Sequence, residues 1–304
     1  FYGKTRKEVA AKLAKALREH QQGLPVASER VTVAQYLESW LQAIEPTVRP
    51  KTYAGYESAV RVRIVPRIGR RQLAKLAPLD VQRLYADLEE AGLSKRSIYH
   101  THRVLKRALK QAVKWDLIGR NPCDGATPPR PERSEMHPLT QAEANQLLSA
   151  ARAHPDHALY VLAITTGMRQ GELLGLQWAD VDLEAGQLRV RRALQRQRGK
   201  GLVFTEPKTS RARRTIHLSR AAVAALREHR RAQNAQRLLL GPAWQDFDLV
   251  FPRGDGSPRC PTETTKTFQR VLKDAGLPRI RFHDLRHTVA TLLLAAGPHP
   301  KIVS

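Results

Sequence analysis

Apolar residues recur at helical spacing along most of this chain and alternate at strand spacing in one region only. Val9, Leu13, Ala16 and Leu17 form one stripe over residues 4–20, which Gly23-Leu24-Pro25 brings to a stop. Thr32 with Gln35 makes a capping-box start, and Val33, Leu37, Leu41 and Ile44 continue at helical spacing up to Pro46. A second helix is expected over 51–64, ahead of Pro66 and Gly69. Asp80 is expected to cap a third, with Val81, Leu84, Tyr85 and Leu88 inward and Gly92 as its stop. Ser94 or Ser97 opens a fourth, with Ile98, Leu105, Leu109 and Val113 along one face. Residues 121–138 hold five prolines and no periodic pattern, and read as a linker. Beyond it, Thr140 and Glu143 make another capping box. Helices are expected over 140–152, 156–166, 169–176, 219–238, 262–275 and 284–296. Strand-like alternation is confined to 187–192, 201–205 and 213–218. The pattern predicts a mainly α protein with a small antiparallel β-sheet, in two domains.

Composition narrows the class. In 304 residues, 41% are hydrophobic and 26% charged, ordinary values for a folded protein. No apolar run approaches the ~18 residues a membrane span needs. The first 20 residues are charged and carry no secretory pattern. Cys123 and Cys260 lie far apart without metal-ligand spacing, so neither a disulfide framework nor a zinc knuckle is expected. The chain opens on Phe1 and not Met, which suggests the interior of a longer protein. A cytoplasmic, soluble protein is expected.

Charge changes the picture most. Lys and Arg number 52 against 28 Asp and Glu, for a net charge of +24. Such a surplus costs self-repulsion and suits a polyanionic partner; the competing reading is a solvated, Arg-rich surface. The distribution favours nucleic acid. Residues 95–120 carry eight Lys/Arg and one acid, Asp116; residues 189–214 carry ten and one acid, Glu206. In the fourth helix Arg103, Lys106, Arg107, Lys110 and Lys114 line the face opposite the core stripe, with Lys95 and Arg96 at its start. A helix with one buried and one cationic face can present itself to phosphates. A membrane-surface role fits less well, because no exposed apolar face accompanies the basic residues.

Three segments could carry chemistry. His283-Asp284-Leu285-Arg286-His287 imitates the H-E-x-x-H zinc pattern, but its acid is one methylene short, Arg286 shares the segment, and no third ligand is evident. Thr166-Gly167-Met168-Arg169-Gln170-Gly171-Glu172 puts an arginine at a helix start after a glycine turn. Such a guanidinium can meet phosphate oxygens in a bidentate manner, or simply pair with Glu172 three residues on. Lys208 sits in a turn with Arg211, Arg213 and Arg214 nearby, a setting that also suits plain solvation.

Taken in order, T-G-M-R-Q-G-E-L-L-G-L (166–176), P-K-T-S-R-A-R-R-T-I (207–216) and H-D-L-R-H-T (283–288) closely resemble the phage-integrase type of tyrosine recombinase. L-T-Q-A-E-A-N-Q-L-L-S-A-A-R (139–152) is similar to the usual opening of that family's catalytic domain. The resemblance implies a terminal helix of an arm-binding domain with its linker over 1–27, a helical, SAM-like core-binding domain over 28–120, a linker over 121–138, and a mixed α/β catalytic domain from 139 to 304. It assigns Arg169 and Arg286 to the scissile phosphate, Lys208 to protonation of the leaving 5′ oxygen, His283 to proton transfer and phosphate binding, and Glu172 to support of Arg169. Lys95, Arg96, Arg103, Lys106, Arg107, Lys110, Arg211 and Arg213 are the candidate DNA contacts. No metal and no other cofactor is implied. The expected partners are double-stranded DNA with attachment-type sites, further copies forming a homo-tetramer on synapsed DNA, and directionality or bending factors, in a bacterial or phage nucleoid setting.

One departure stands out. In this family the nucleophilic Tyr and a further His or Trp lie C-terminal to the H-x-x-R helix, whereas all seven tyrosines here precede Arg169. The resemblance therefore predicts a sequence truncated at both ends, inactive in cleavage as it stands. Two alternatives stay open: a catalytically dead DNA-binding fragment that occupies recombination sites, and a type IB topoisomerase-like enzyme.

Overall fold

The computed structural model describes Thr5 and residues 31–132, 137–197, 199–206 and 213–295, with side chains to residue 292. The expected helix over 4–20 falls outside these residues apart from Thr5. The chain forms two compact units, Phe1–Ser134 and Glu135–Ser304. No described helix is long and apolar enough to cross a membrane.

In the first unit, Thr32 caps α1 (Val33–Ile44): Thr32 Oγ1 accepts from Gln35 N at 3.2 Å, and Gln35 Oε1 accepts from Thr32 N at 3.0 Å. α2 (Pro50–Ser58) passes through a π-helical stretch, Ala59–Ile64, into α3 (Val65–Ile68), and so runs past the expected end at residue 64. A proline ring crowds the carbonyl four residues back, and the wider π turn just before Pro66 gives the chain room to continue. α4 (Pro78–Glu90) corrects the expected cap. Pro78 is its first residue, and Asp80 sits inside the first turn, where its carboxylate accepts from Ala77 N at 3.1 Å and pairs with Arg71. Ser94 caps α5 (Lys95–Lys114) by accepting from Ser97 N. Ile98, Leu105, Ala108, Leu109 and Ala112 of α5 join Tyr36, Leu37, Trp40, Leu84 and Leu88 in one core, and its basic face stays exposed. The expected linker also begins later than predicted. Pro122–Gly125 forms a 3₁₀ turn on this unit, with Cys123 buried and Asn121 Nδ2 donating to Lys106 O.

The second unit is built around α7 (His157–Thr166), whose residues Ala158 to Ile164 are all buried. A helix apolar on every side belongs at the centre of a domain, and α9 (Arg220–Leu240) and α11 (Asp284–Ala295) pack against it. α6 (Gln141–Ala150), capped by Thr140 and Glu143, and α10 (Pro261–Asp274) complete the helical shell. The expected single sheet is in fact two. β1 (Val181–Asp182), β2 (Gln187–Val190) and β5 (Arg214–His217) form one antiparallel sheet in the order β1-β2-β5, with Leu188 opposite Ile216. β3 (Ala193–Gln197) and β4 (Gly201–Thr205) form a separate hairpin. β3 escapes a sequence reading because Gln195, Arg196 and Gln197 hide its alternation. The short helix α8 (Gln170–Leu174) lies on β3 so closely that a Cβ at Gly171 would stand 2.9 Å from Leu194 O, and one at Gly175 2.9 Å from Leu194 N. Only glycine fits at either contact.

One buried ion pair locks the shell. Asp156, at the start of α7, accepts two bonds from Arg259, just ahead of α10, the longer at 2.6 Å. Both side chains are largely buried, so removing one partner leaves an uncompensated charge at a cost of about 3–5 kcal/mol. Asp156→Ala is expected to lower the melting temperature by about 10 °C in a thermal unfolding scan. A shift under about 2 °C would show that the pair is not what holds α10 in place.

Candidate active site

The arginine-bearing segment starts from a turn that requires left-handed backbone. Gly167 ends α7 at φ 61°, and the chain then turns so that Arg169 becomes the residue in front of α8. Glu172, one turn into α8, is buried at 4% exposure and reaches back to it. Glu172 Oε2 accepts from Arg169 N at 3.0 Å, and Oε1 from Arg169 Nη1 at 2.9 Å. The i,i+3 pairing that the sequence left as an alternative is thus present, yet the Arg169 side chain remains 54% exposed, with donors to spare.

A third arginine completes the arrangement. Arg214, the first residue of β5, donates Nη2 to Glu172 Oε2 at 2.9 Å, and its Nη1 lies 3.5 Å from Oε1. Sequence reasoning passed over it in favour of its neighbours Arg211 and Arg213. The missed signal was strand alternation: Ile216 faces the core, so Arg214 faces the same way. Burial by itself would raise the Glu172 pKa. The hydrogen bonds from Arg214 and the Arg169 backbone, with the Arg214 charge, outweigh it and hold the carboxyl below its usual range.

Arg286 and His283 arrive from the other side. Arg286, in the first turn of α11, donates Nη1 to Gly167 O at 2.7 Å, which ties it to the turn that presents Arg169. Its pKa is lowered by burial and then by the positive charges of Arg169 and Arg214, so the three guanidiniums share one neighbourhood. His283, just before α11, is exposed, with its ring 5.5 Å from that of His287. Burial of part of the ring, then His287 and Arg286, lower its pKa, which favours a neutral imidazole at pH 7. The carboxylate between them is not offered to a metal. Asp284 is buried and bound to Arg281 through its backbone N and guanidinium. No group of His, Cys, Asp and Glu among the described residues could hold a metal ion.

Lys208 and Arg211 lie outside the described residues. Arg213 is exposed and pairs with Glu206 at 2.7 Å. The remaining predicted contacts belong to the first unit and line the exposed face of α5. Lys106 pairs with Asp124 at 2.8 Å, Lys95 approaches Glu132 at 3.5 Å, and Arg107 lies over the Tyr56 ring and donates to its hydroxyl. Arg96, Arg103 and Lys110 have no ion-pair partner among the described residues and stand free on that face.

Comparison with known proteins supplies the family. The sequence pattern of the phage integrase family matches residues 137–304, and that of the phage integrase N-terminal SAM-like domain matches 32–88. This chain belongs to the phage integrase family. It is a tyrosine-type, site-specific DNA recombinase of the phage and mobile-element class. A "Tyrosine recombinase XerC-like" protein of Caldanaerobacter subterraneus subsp. tengcongensis is 31% identical, over 100% of this chain and 83% of its own. An "Integrase" of Saccharopolyspora erythraea is 28% identical, over 99% of this chain and 81% of its own. Among solved structures, the Tn1549 transposon integrase in complex with transposon right end DNA superposes with a TM-score of 0.78 at 25% identity, covering 90% of this chain and 89% of that one.

The integrase's Glu172 gives a pH test. A carboxyl with a depressed folded pKa contributes stability that is present above its unfolded value, about 4.3, and lost as pH falls through the folded pKa. Glu172→Gln is therefore expected to cost about 1.5–3 kcal/mol at pH 7, the worth of hydrogen bonds to a charged group. The gap in melting temperature between the two proteins should narrow as pH falls below about 4. A gap independent of pH would mean that the carboxylate charge does not matter.

Proposed function

We propose that this recombinase cuts and rejoins DNA at attachment-type sites through a 3′-phosphotyrosyl intermediate, with Arg169 and Arg286 gripping the scissile phosphate. The observation that carries this reading is the convergence of Arg169 and Arg214 on one buried carboxylate, Glu172, with Arg286 bound to Gly167 in the turn that presents Arg169. Three positive charges against one negative leave a net surplus beside half-exposed donors, a setting complementary to a phosphodiester. Charge builds on the equatorial oxygens during phosphoryl transfer, and guanidiniums fixed in advance stabilise it without reorganising.

In the reaction, a tyrosine oxygen attacks phosphorus, the bond from phosphorus to the 5′ oxygen breaks, and the leaving oxygen takes a proton from Lys208. His283, kept neutral by partial burial and then by the nearby Arg286 charge, accepts the tyrosine proton and later returns it. A 5′-hydroxyl of the partner strand then reverses these steps and religates. The same chemistry serves a type IB topoisomerase, and exchange of partners between two duplexes separates the two activities. The first unit supplies core binding through the α5 face, with residues 1–27 belonging to an arm-binding domain and the second unit performing catalysis. Four copies on paired sites, assisted by bending or directionality factors, make the working assembly in the nucleoid.

No tyrosine of this chain follows Arg169. Tyr160, the nearest before it, is fully buried between His154 and Phe268, with its hydroxyl sealed from solvent. A nucleophile must stand about 3 Å from phosphorus in line with the leaving oxygen, and Tyr160 does not meet that requirement. Nicked suicide substrates are expected to trap no covalent adduct with residues 1–304 and to trap one with a chain that carries a tyrosine C-terminal to the Arg286 helix. In the latter, Arg169→Ala or Arg286→Ala should cut adduct formation at least about 100-fold while DNA affinity changes less than about threefold. An adduct formed by residues 1–304 would overturn the assignment of the nucleophile.

Affinity for duplex DNA is expected to fall at least about tenfold between low and physiological salt, as bound phosphates release counterions. Binding indifferent to salt in a fluorescence-anisotropy titration would refute a grip based on basic residues.

A further inference from the structure

The ends of β2, β4 and β5 enclose a cleft of about 730 Å³ that the reading above leaves unused. Its walls carry Arg189, Arg191, Arg192, Arg213 and Arg214, with Glu206 as the one acid among its described lining residues. Their donors are only partly spent. Arg213 is occupied by Glu206 and Arg214 by Glu172. Arg191 and Arg192 flank the buried Asp180 at 3.4 Å each, and neither Asp180 oxygen receives a hydrogen bond from them. The buried carboxylate thus holds two guanidiniums at the cleft wall by charge while leaving their N–H groups for a ligand. The Arg189 side chain has no partner among the described residues.

The cleft also has one flat apolar surface. Phe204 is 36% exposed on β4, opposite the buried Leu194. Leu202, two residues earlier on the same strand face, packs on the core. Phe204 extends that face beyond the core and into the cleft. Arginines around an exposed aromatic ring are the chemistry of single-stranded nucleic acid binding: cations track the phosphates while a base stacks on the ring. A paired duplex keeps its base faces hidden, so a ring of this kind favours an unpaired nucleotide. Position supplies the source. Arg214 belongs both to the cleft and to the cluster around Glu172, so the cleft starts beside the proposed site of the scissile phosphate. Cleavage there frees a 5′-hydroxyl end that must leave its own duplex before it can join another.

We propose that this cleft holds an unpaired nucleotide of the strand end released by cleavage, with its base on Phe204 and its phosphates on Arg189, Arg191 and Arg192. The proposal rests on the recombinase reading and adds a waiting site for the exchanging strand.

The test compares a blunt duplex with the same duplex carrying a six-nucleotide single-stranded 5′ tail, in which 2-aminopurine marks one unpaired position. With residues 1–304, the tail is expected to tighten binding about five- to tenfold and to quench the 2-aminopurine severalfold through stacking. Phe204→Leu, which keeps an apolar side chain opposite Leu194, should abolish both effects and change blunt-duplex affinity less than about twofold. Arg189→Ala should reduce the tail's benefit and lower the slope of log affinity against log salt by about one. Quenching and tail benefit that survive both Phe204→Leu and Phe204→Ala would overturn the proposal. So would equal weakening of tailed and blunt duplexes, since Phe204 would then touch paired DNA. Failure of the underlying reading has its own signature, blunt-duplex binding without salt dependence, and that outcome sinks both.

Discussion

The buried carboxylate of Glu172 is the constraint on which the second unit depends. A charge at 4% exposure is tolerable only if the chain supplies donors to it, and here two arginines and a backbone N–H do so. Satisfying Glu172 fixes three things together. It sets the start of α8, the inward turn of Arg214 on β5, and a cationic surface whose remaining donors point outward. Arg286 joins the same construction through the carbonyl of Gly167, so the turn between α7 and α8 links Arg286 to Arg169, and Glu172 links Arg169 to Arg214. On the proposed function, the phosphate would meet guanidiniums already fixed in place, which is what preorganised charge stabilisation requires.

The rest of the second unit serves that rigidity. α7 is buried on every side and delivers Gly167 at a defined place. Gly171 and Gly175 let α8 sit directly on the backbone of β3, so the helix cannot tilt without colliding with Leu194. The Asp156–Arg259 pair closes the shell around the far end of α7. Local choices thus agree with the global fold, and the departures from local rules, such as crowded arginines and a buried acid, fall at the site where a phosphodiester is expected.

The first unit solves a simpler problem. The sequence of α5 keeps an apolar face and a cationic face apart: Ile98, Leu105 and Leu109 inward, Arg96, Arg103 and Lys110 outward. Nothing in that helix demands a precise pocket, which suits contacts that position a duplex without reading it.

Periodicity and capping chemistry were enough to locate α1, α5, α6 and α7 and to separate a helical first half from a mixed second half, because these signals are local. The order of the motifs around Arg169, Lys208 and His283 was enough to indicate the family. Tertiary structure decided the remainder. The helix past Pro66 depends on a π turn, which leaves no mark in the hydrophobic pattern. β3 pairs with β4 through backbone groups that any side chain permits, so its polar sequence hid it. Residues 121–125 read as linker because prolines break periodicity, yet Cys123 finds a hydrophobic neighbourhood that only the folded unit provides. Arg214 was one cation among ten over 189–214. What distinguished it was a partner 42 residues away in the chain, and a contact across that separation exists only once β5 has been laid beside β2.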